Sequence, residues 1–146
     1  SLKEIFMSLR KGLVHLSYCS HAQTPLEQAD LDLILKASQR NNQRDDVTGL
    51  LTYSGEVFVQ FLEGPHEAIG RLMGRLQVDS RHRDIIVLSE GSDHERLFHD
   101  WSMELVTRQE AYQVLRDALS EASSYDKVIG LSSLLSKLDP NMHRAS

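Results

Sequence analysis

The stretch Phe58-Val59-Gln60-Phe61-Leu62-Glu63-Gly64-Pro65 decides how the chain folds, because it predicts an apolar strand with a neutral amide at its centre. Alternate residues of a strand face opposite sides of a sheet, so Phe58, Gln60 and Leu62 share one face. The opposite face carries Val59 and Phe61, and both faces are therefore expected to be buried. A buried amide left without partners costs about 1–3 kcal/mol. We therefore expect a polar group to meet Gln60 inside the protein.

Length and composition predict one soluble domain with a short appendage. The chain has 146 residues, of which 40% are hydrophobic and 25% charged, and no apolar run approaches the roughly 18 residues of a membrane span. The absence of a visible secretory signal and the single cysteine, Cys19, predict a cytoplasmic protein without disulfides. The net charge is -5 and basic residues do not cluster, so neither nucleic acid nor a membrane is an expected partner. The histidines lack the spacing of a metal site.

Two elements are predicted before the quoted stretch. Residues 13–20 alternate like a strand and place Tyr18 near its end. Thr24-Pro25-Leu26-Glu27 predicts a helix start with Thr24 as N-cap, and apolar residues at three-and-four spacing, Leu33 among them, carry the helix to about Gln39. Residues 40–46 are expected to form a polar loop.

The remaining strands and a second helix complete a sheet. Residues 47–53 and 56–62 predict two strands that pair antiparallel through a short Ser54-Gly55 loop. Gly64-Pro65 ends the second strand, and a helix with one apolar face spans about residues 65–78. The β-branched run in residues 84–90 is typical of a central strand buried on both faces, and residues 101–106 predict the last strand.

The predicted order β-α-β-β-α-β-β indicates an α+β fold, the ferredoxin-like sandwich, in which a five-stranded sheet carries two helices on one face. The capping box Thr107-Arg108-Gln109-Glu110 then opens a C-terminal helical pair over residues 108–146. We expect this pair to cover the open sheet face, although a homo-oligomer surface stays open as an alternative. Residues 13–107 form the main domain, and residues 1–12 are either a native extension or a cloning remnant.

Several polar side chains converge near one cleft of this fold. Tyr18 and Gln60 lie on strands, and Asn41-Asn42 follow the first helix, so all of them approach the space between that helix and the sheet. A purely structural role is the alternative for Tyr18 and Gln60, as a core-edge aromatic and a satisfied strand amide. Spacing alone favours the structural role, whereas the combination of these groups favours a binding cleft.

Short segments in a fixed order resemble the BLUF family, the blue-light sensors that use flavin. The resemblance runs from about Leu13 to Thr107, and its fold is the same ferredoxin-like sandwich, with the isoalloxazine ring held between the two helices. The segments that carry it are Leu13-Val14-His15-Leu16-Ser17-Tyr18, Asn41-Asn42, Thr48-Gly49-Leu50-Leu51, Phe58 to Gly64, Asp79-Ser80-Arg81-His82 and Trp101-Ser102-Met103.

The resemblance implies a role for each matching residue. Tyr18 is the electron and proton donor to the photoexcited flavin, and Gln60 links that tyrosine to flavin N5 and O4. Asn42 grips the ring edge at O4 and N3, and Asn41 contacts the pyrimidine end or the side chain. The cofactor-binding set it implies is Ile34, Ser38, Asn41, Asn42, Phe58, Gln60, Arg75, Leu76, Asp79, His82, Trp101 and Met103.

Within this set, Arg75 and His82 form a cationic end, where charge-assisted donors suit a ribityl phosphate. A solvated helix face is the structural alternative for these two residues. Trp101 and Met103 are two apart and share a face on a regular strand, and the family exchanges which of them lies near Gln60. FAD is the expected cellular cofactor, with FMN as the alternative.

The resemblance implies a light sensor and not an enzyme. Light drives electron and proton transfer from Tyr18, and Gln60 rearranges its hydrogen bonds, because a primary amide exchanges donor and acceptor ends. The red-shifted signalling state is expected to act on a separate effector protein, through the last strand and the helices after Thr107. Two other classes stay open: a light-independent small-molecule-binding module on the same fold, and an acid–base enzyme using Asp79 and His82.

Overall fold

The computed structural model of the chain describes residues 2, 12–92, 95–122 and 125–139. Its strands are β1 (Leu13–Ala22), β2 (Thr48–Tyr53), β3 (Val57–Pro65), β4 (His82–Ser92) and β5 (Glu104–Leu105). Its helices are α1 (Gln28–Asp45), α2 (His66–Val78), α3 (Arg108–Leu119) and α4 (Tyr125–Leu138). Within these ranges, the helices are too short or too polar to cross a membrane. The expectation for residues 1–12 falls almost entirely outside the described residues.

The strands form one sheet in the order β4-β1-β3-β2-β5. β1 pairs antiparallel with β3 and β4, and β2 pairs antiparallel with β3, whereas β5 runs parallel to β2. α1 and α2 pack on one face of the sheet, and α3 and α4 pack on the other. The α+β ferredoxin-like fold is confirmed, and the C-terminal helical pair covers the second sheet face as expected.

β3 is buried on both faces and separates two hydrophobic cores. Phe58 and Leu62 belong to the core under α1 and α2, and Val59 and Phe61 belong to the core under α3 and α4. Each fully buried side chain of this size contributes about 1.5–3 kcal/mol to folding. The predicted alternation is confirmed, and it directs Gln60 toward the α1 and α2 side.

α1 begins later than the sequence predicts. Residues 23–27 are not helical, and the backbone N–H of Leu26 donates to the Tyr53 hydroxyl at 3.0 Å. The capping box is instead formed by Glu27 and Asp30, whose side chains each accept the other's backbone N–H. The prediction of Thr24 as N-cap is therefore wrong, since a tertiary contact overrides the local signal.

α1 also ends later, because the Asn42 amide in its last turn donates to the Ser102 carbonyl oxygen. The predicted loop at residues 40–46 is helical to Asp45, with Asn42 buried and Asp46 closing the helix in a left-handed conformation at φ 58°. The buried stripe runs through Leu31, which is 6% exposed, and not through Leu33, which is 68% exposed. Asn42 therefore lies on a helical turn and not in a loop.

β4 is an edge strand, and the prediction of a central strand is wrong. It pairs with β1 at one end of the strand order, with two register shifts. Ile86 is 54% exposed and Val87 is 46% exposed. The run is nevertheless apolar because Ile85 packs on the core under α1 and α2, and Leu88 packs on the core under α3 and α4. An edge strand that supplies both cores has the same composition as a central strand.

Gly49 lies where β2 approaches β3 too closely for a side chain. A Cβ atom at this position would lie 2.0 Å from the Phe61 carbonyl oxygen. We expect Gly49→Ala to force the strands apart and to lower the free energy of unfolding by about 1–3 kcal/mol, measured by urea denaturation. Gly70→Ala is the matched control, because its Cβ would meet open space in α2. Equal stability of Gly49→Ala and the parent protein would show that β2 can shift without loss.

Candidate functional site

A cleft of about 230 Å³ opens between α1, α2 and the sheet. Most of the residues singled out from the sequence meet there, which brings together side chains from six different elements or loops. These residues are Tyr18, Ile34, Ser38, Asn41, Asn42, Phe58, Gln60, Arg75, Leu76, Asp79 and His82. Their proximity is a finding about the fold, and their roles toward a cofactor remain predictions.

Four further residues line the cleft and were not singled out from the sequence: Ala37, Leu51, Leu72 and Arg81. Helical spacing signals two of them, since Ala37 follows Ile34 by three positions and Leu72 precedes Leu76 by four. Leu51 lies directly opposite Gln60 in the β2–β3 register. Arg81 lies inside the quoted segment of residues 79–82, so its position is visible in the sequence but its contact is not.

The polar partners of Gln60 are Tyr18 and Met103. Tyr18 and Gln60 are directly opposite each other in the β1–β3 register, and the Tyr18 hydroxyl donates to Gln60 Oε1. Gln60 Nε2 donates to Met103 Sδ at 3.1 Å. All three side chains are buried. The oxygen of the Gln60 amide therefore faces a hydroxyl donor and its nitrogen faces a sulfur acceptor. These two partners define the orientation of the amide group.

Tyr18 is held in its neutral form. Burial raises the pKa of its hydroxyl above the ordinary value of a phenol, and the negative charge of Asp79 raises it further. Asp79 keeps that charge because its hydrogen bonds with Arg81 lower the pKa of the Asp79 carboxyl. Tyr18 is therefore a proton-bearing donor at every physiological pH.

Asn42 is fixed on the opposite wall of the cleft by the backbone that leads into β5. Its amide nitrogen donates to the Ser102 carbonyl oxygen at 2.9 Å. That bond leaves Asn42 Oδ1 as an acceptor at the buried end of α1. Ser38 and Asn41 line the same wall, one turn and one residue before Asn42. The helix thus presents amide and hydroxyl groups to the cleft in a defined orientation.

Charged side chains gather at the other end of the cleft, where α2 gives way to β4. Arg81 Nη2 lies 2.6 Å from Asp79 Oδ2, and Arg81 Nε lies 2.9 Å from Asp79 Oδ1, so the pair is bidentate. His82 Nδ1 lies 2.9 Å from Ser20 Oγ. Arg75 lines the same end from α2. Arg81 thus compensates the charge of Asp79, and the guanidinium group of Arg75 lines the same end, which favours an anionic ligand.

Burial lowers the pKa of His82, and Arg81 adds to that shift, although the negative charge of Asp79 opposes it. The folded protein therefore binds this proton less tightly than the unfolded chain does. We expect the free energy of unfolding to fall as the pH drops through the ordinary imidazole pKa of 6.5 toward the lower folded-state value. An NMR titration of the flavin-free protein measures the pKa, and His82→Gln should remove this part of the pH dependence. A His82 pKa at or above 6.5 would contradict the expectation.

Trp101 and Met103 lie on opposite sides of the sheet. Met103 belongs to the core under α1 and α2, beside the cleft. Trp101 packs on the core under α3 and α4 and stacks on Phe98 with ring centroids 5.3 Å apart. The expectation that both share a face is wrong, because β5 is confined to residues 104–105 and residues 101–103 are not in a strand. Trp101 therefore does not line the cleft, and Met103 reaches it through Gln60.

A family model described as sensors of blue light using FAD, BLUF, matches residues 13–104 of the chain. Among curated proteins, the photoactivated adenylate cyclase subunit beta of Euglena gracilis is 32% identical over 112 residues. That match covers 75% of this chain and 13% of the cyclase subunit. The alpha subunit from the same organism is 34% identical over 86 residues. The chain thus spans a small part of the length of these relatives.

Solved structures show the same similarity. BlrB, a BLUF protein in its dark state, is 32% identical with a TM-score of 0.67, and the match covers 88% of this chain and 98% of that one. BlrP1 of Klebsiella pneumoniae, solved with FMN and cyclic diGMP, is 28% identical with a TM-score of 0.68. This match covers 88% of this chain and 35% of BlrP1. The similarity therefore extends beyond residue 104 into the helical pair.

Proposed function

Because the chain belongs to the BLUF family, the sensors of blue light using FAD, we propose that Tyr18 and Gln60 form its photochemical switch. The observation that carries this proposal is the hydrogen bond from the Tyr18 hydroxyl to Gln60 Oε1 at the wall of the cleft. Tyr18 would lend an electron and its hydroxyl proton to the bound, photoexcited flavin and would then take both back, while Gln60 changes its hydrogen bonds. The resulting state absorbs at longer wavelength.

The residues of the cleft suit a flavin. Ile34, Phe58 and Leu76 provide apolar contact for the faces of a planar ring, and Asn42 Oδ1 provides an acceptor for a ring N–H group. The charged Arg75 guanidinium and the His82 imidazole supply N–H donors that suit the phosphate of the side chain. FAD is the cofactor that the family description implies. When bound, the flavin supplies absorption of blue light and an electron acceptor.

Gln60 suits a switch because both ends of its amide have partners of different character. Oε1 accepts from Tyr18, and Nε2 donates to the sulfur of Met103, which is a weak acceptor. A rotated or tautomeric amide presents an acceptor where a donor stood before. The weak Met103 bond is the easier of the two to exchange, so Gln60 is held in one orientation without being locked there.

We infer that the output is conformational and acts on a separate effector protein, with no substrate turned over by this chain. The path runs from Gln60 through Met103 to β5, and then to Thr107, which caps α3 through the Glu110 backbone N–H. BlrB supports a separate effector, because the match covers 98% of its chain. The related cyclase subunit supports a conformational output, because the matched stretch is 13% of a protein named as a photoactivated cyclase.

Tyr18→Phe tests the proposal directly. The variant keeps the aromatic ring and loses the hydroxyl, so we expect it to bind FAD and to lose the light-induced red shift. Absorption spectra of the FAD-loaded protein in the dark and under blue light measure the effect. Tyr112→Phe on α3 is the matched control and should retain the shift, because Tyr112 packs on the other core. A red shift of full amplitude in Tyr18→Phe would refute the assignment.

A further inference from the structure

Residues 101–103 form no regular strand, yet each of their carbonyl groups is held by a donor from another element. The backbone N–H of Gly49 donates to the first carbonyl at 2.7 Å. The Asn42 amide donates to the second at 2.9 Å, and the Gln39 amide donates to the third at 3.0 Å. The position of this segment therefore depends on three individual hydrogen bonds.

Gln39 differs from Asn42 in its relation to the cleft. The two side chains are three positions apart on α1, so they point toward the same segment. Asn42 lines the cleft, whereas Gln39 does not. A change at Gln39 consequently affects the segment while the cofactor wall stays intact.

We propose that Gln39 is a positioning residue that holds Met103 beside Gln60. The proposal rests on the proposed function, since it assigns Gln39 a part in orienting the Gln60 amide. Gln39 Nε2 holds the Met103 backbone from α1, and the Met103 sulfur accepts from Gln60 Nε2 at 3.1 Å on the sheet side. A thioether is a weak acceptor. Its effect on Gln60 therefore depends on the sulfur being kept in place by the backbone that carries it.

Amide hydrogen exchange in the flavin-free protein tests the contact itself. Gln39→Met removes both N–H donors at similar side-chain length and should make peptides covering residues 101–106 exchange about threefold to tenfold faster, the range expected for one lost hydrogen bond. Gln39→Lys restores a donor and should return exchange toward the parent rate. Gln43→Met, at an exposed position of the same helix, is the matched control and should leave these peptides unchanged.

The lifetime of the illuminated state tests the positioning role. In the FAD-loaded protein, Gln39→Met should change this lifetime by about threefold or more, and the same substitution should have no effect once Met103→Leu has removed the sulfur. A lifetime effect that persists in Met103→Leu, or an unchanged exchange rate in Gln39→Met, overturns the proposal. A parent protein without a light-induced shift refutes the proposed function instead, and the exchange measurement then still decides whether Gln39 holds the segment.

Discussion

Replacing Lys127 by methionine is expected to lower the free energy of unfolding by about 3–5 kcal/mol, the effect of breaking a buried ion pair from one side. Lys127 lies on α4 and is 3% exposed, and its Nζ lies 2.5 Å from Glu63 Oε2 on β3. Glu63 itself is 0% exposed. Without Lys127, the buried Glu63 carboxylate loses the ammonium group that lies beside it.

The remaining partners of Glu63 explain why the loss is large but not total. Its carboxylate also accepts the backbone N–H groups of Leu97 and Phe98 at 2.9 Å. Lys127 in turn donates to the Glu95 carbonyl at 2.8 Å. The ion pair therefore joins β3, the segment of residues 95–98 and α4 into one polar contact, and methionine at position 127 breaks two of its bonds.

Urea denaturation of matched variants measures this effect. Lys36→Met, at an exposed position of α1, should change stability by less than about 0.5 kcal/mol. Adding Glu63→Gln to Lys127→Met should recover part of the loss, because glutamine keeps an acceptor for the backbone N–H groups and removes the uncompensated charge. A loss below about 1 kcal/mol in Lys127→Met would show that the contact is exposed to water in solution.

Gln60→Leu is expected to abolish the light-induced red shift while FAD remains bound. Leucine has a similar volume and keeps the apolar packing of β3, but it neither accepts from Tyr18 nor donates to Met103. The amide is the group that exchanges donor and acceptor positions. Without it, light still reaches the cofactor, but no rearranged hydrogen bond is left to shift the spectrum.

The test compares dark and illuminated spectra of FAD-loaded Gln60→Leu with those of Gln113→Leu. Gln113 lies on α3, where its amide contacts Asp117 at the surface, so its loss should leave the red shift unchanged. The Tyr18 hydroxyl loses its buried acceptor in Gln60→Leu, and stability should fall by about 1–3 kcal/mol. A red shift of normal size in Gln60→Leu would show that the Gln60 amide is not required for the spectral change.

β3 was predicted as a strand between two cores because Val59 and Phe61 alternate with Phe58 and Leu62, and the structure places the two pairs in different cores. The apolar run of β4 has two solutions. A central strand and an edge strand whose Ile85 and Leu88 reach different cores have the same composition, so periodicity does not separate them. The start of α1 was predicted wrongly because local signals do not contain tertiary contacts. The hydrogen bond from the Leu26 N–H to the Tyr53 hydroxyl joins residues that are 27 positions apart.

The polar groups of the cleft were predictable as a set but not as contacts. The resemblance brought Tyr18, Gln60 and Asn42 together, whereas the bond from Asn42 to Ser102 depends on a helical turn where local signals predicted a loop. The sequence did not predict the burial of Lys127, because a lysine within a helix ordinarily lies at a solvent-exposed position. Its partner Glu63 is 64 positions away, so only the assembled fold reveals the pair.

The most direct test of the account is the absorption spectrum of the FAD-loaded parent protein, recorded in the dark, under blue light and during recovery. The switch formed by Tyr18 and Gln60 predicts a red shift of the flavin band that forms under blue light and decays in the dark, with no lasting change in flavin redox state. A spectrum that bleaches under blue light, or that does not change at all, would contradict it.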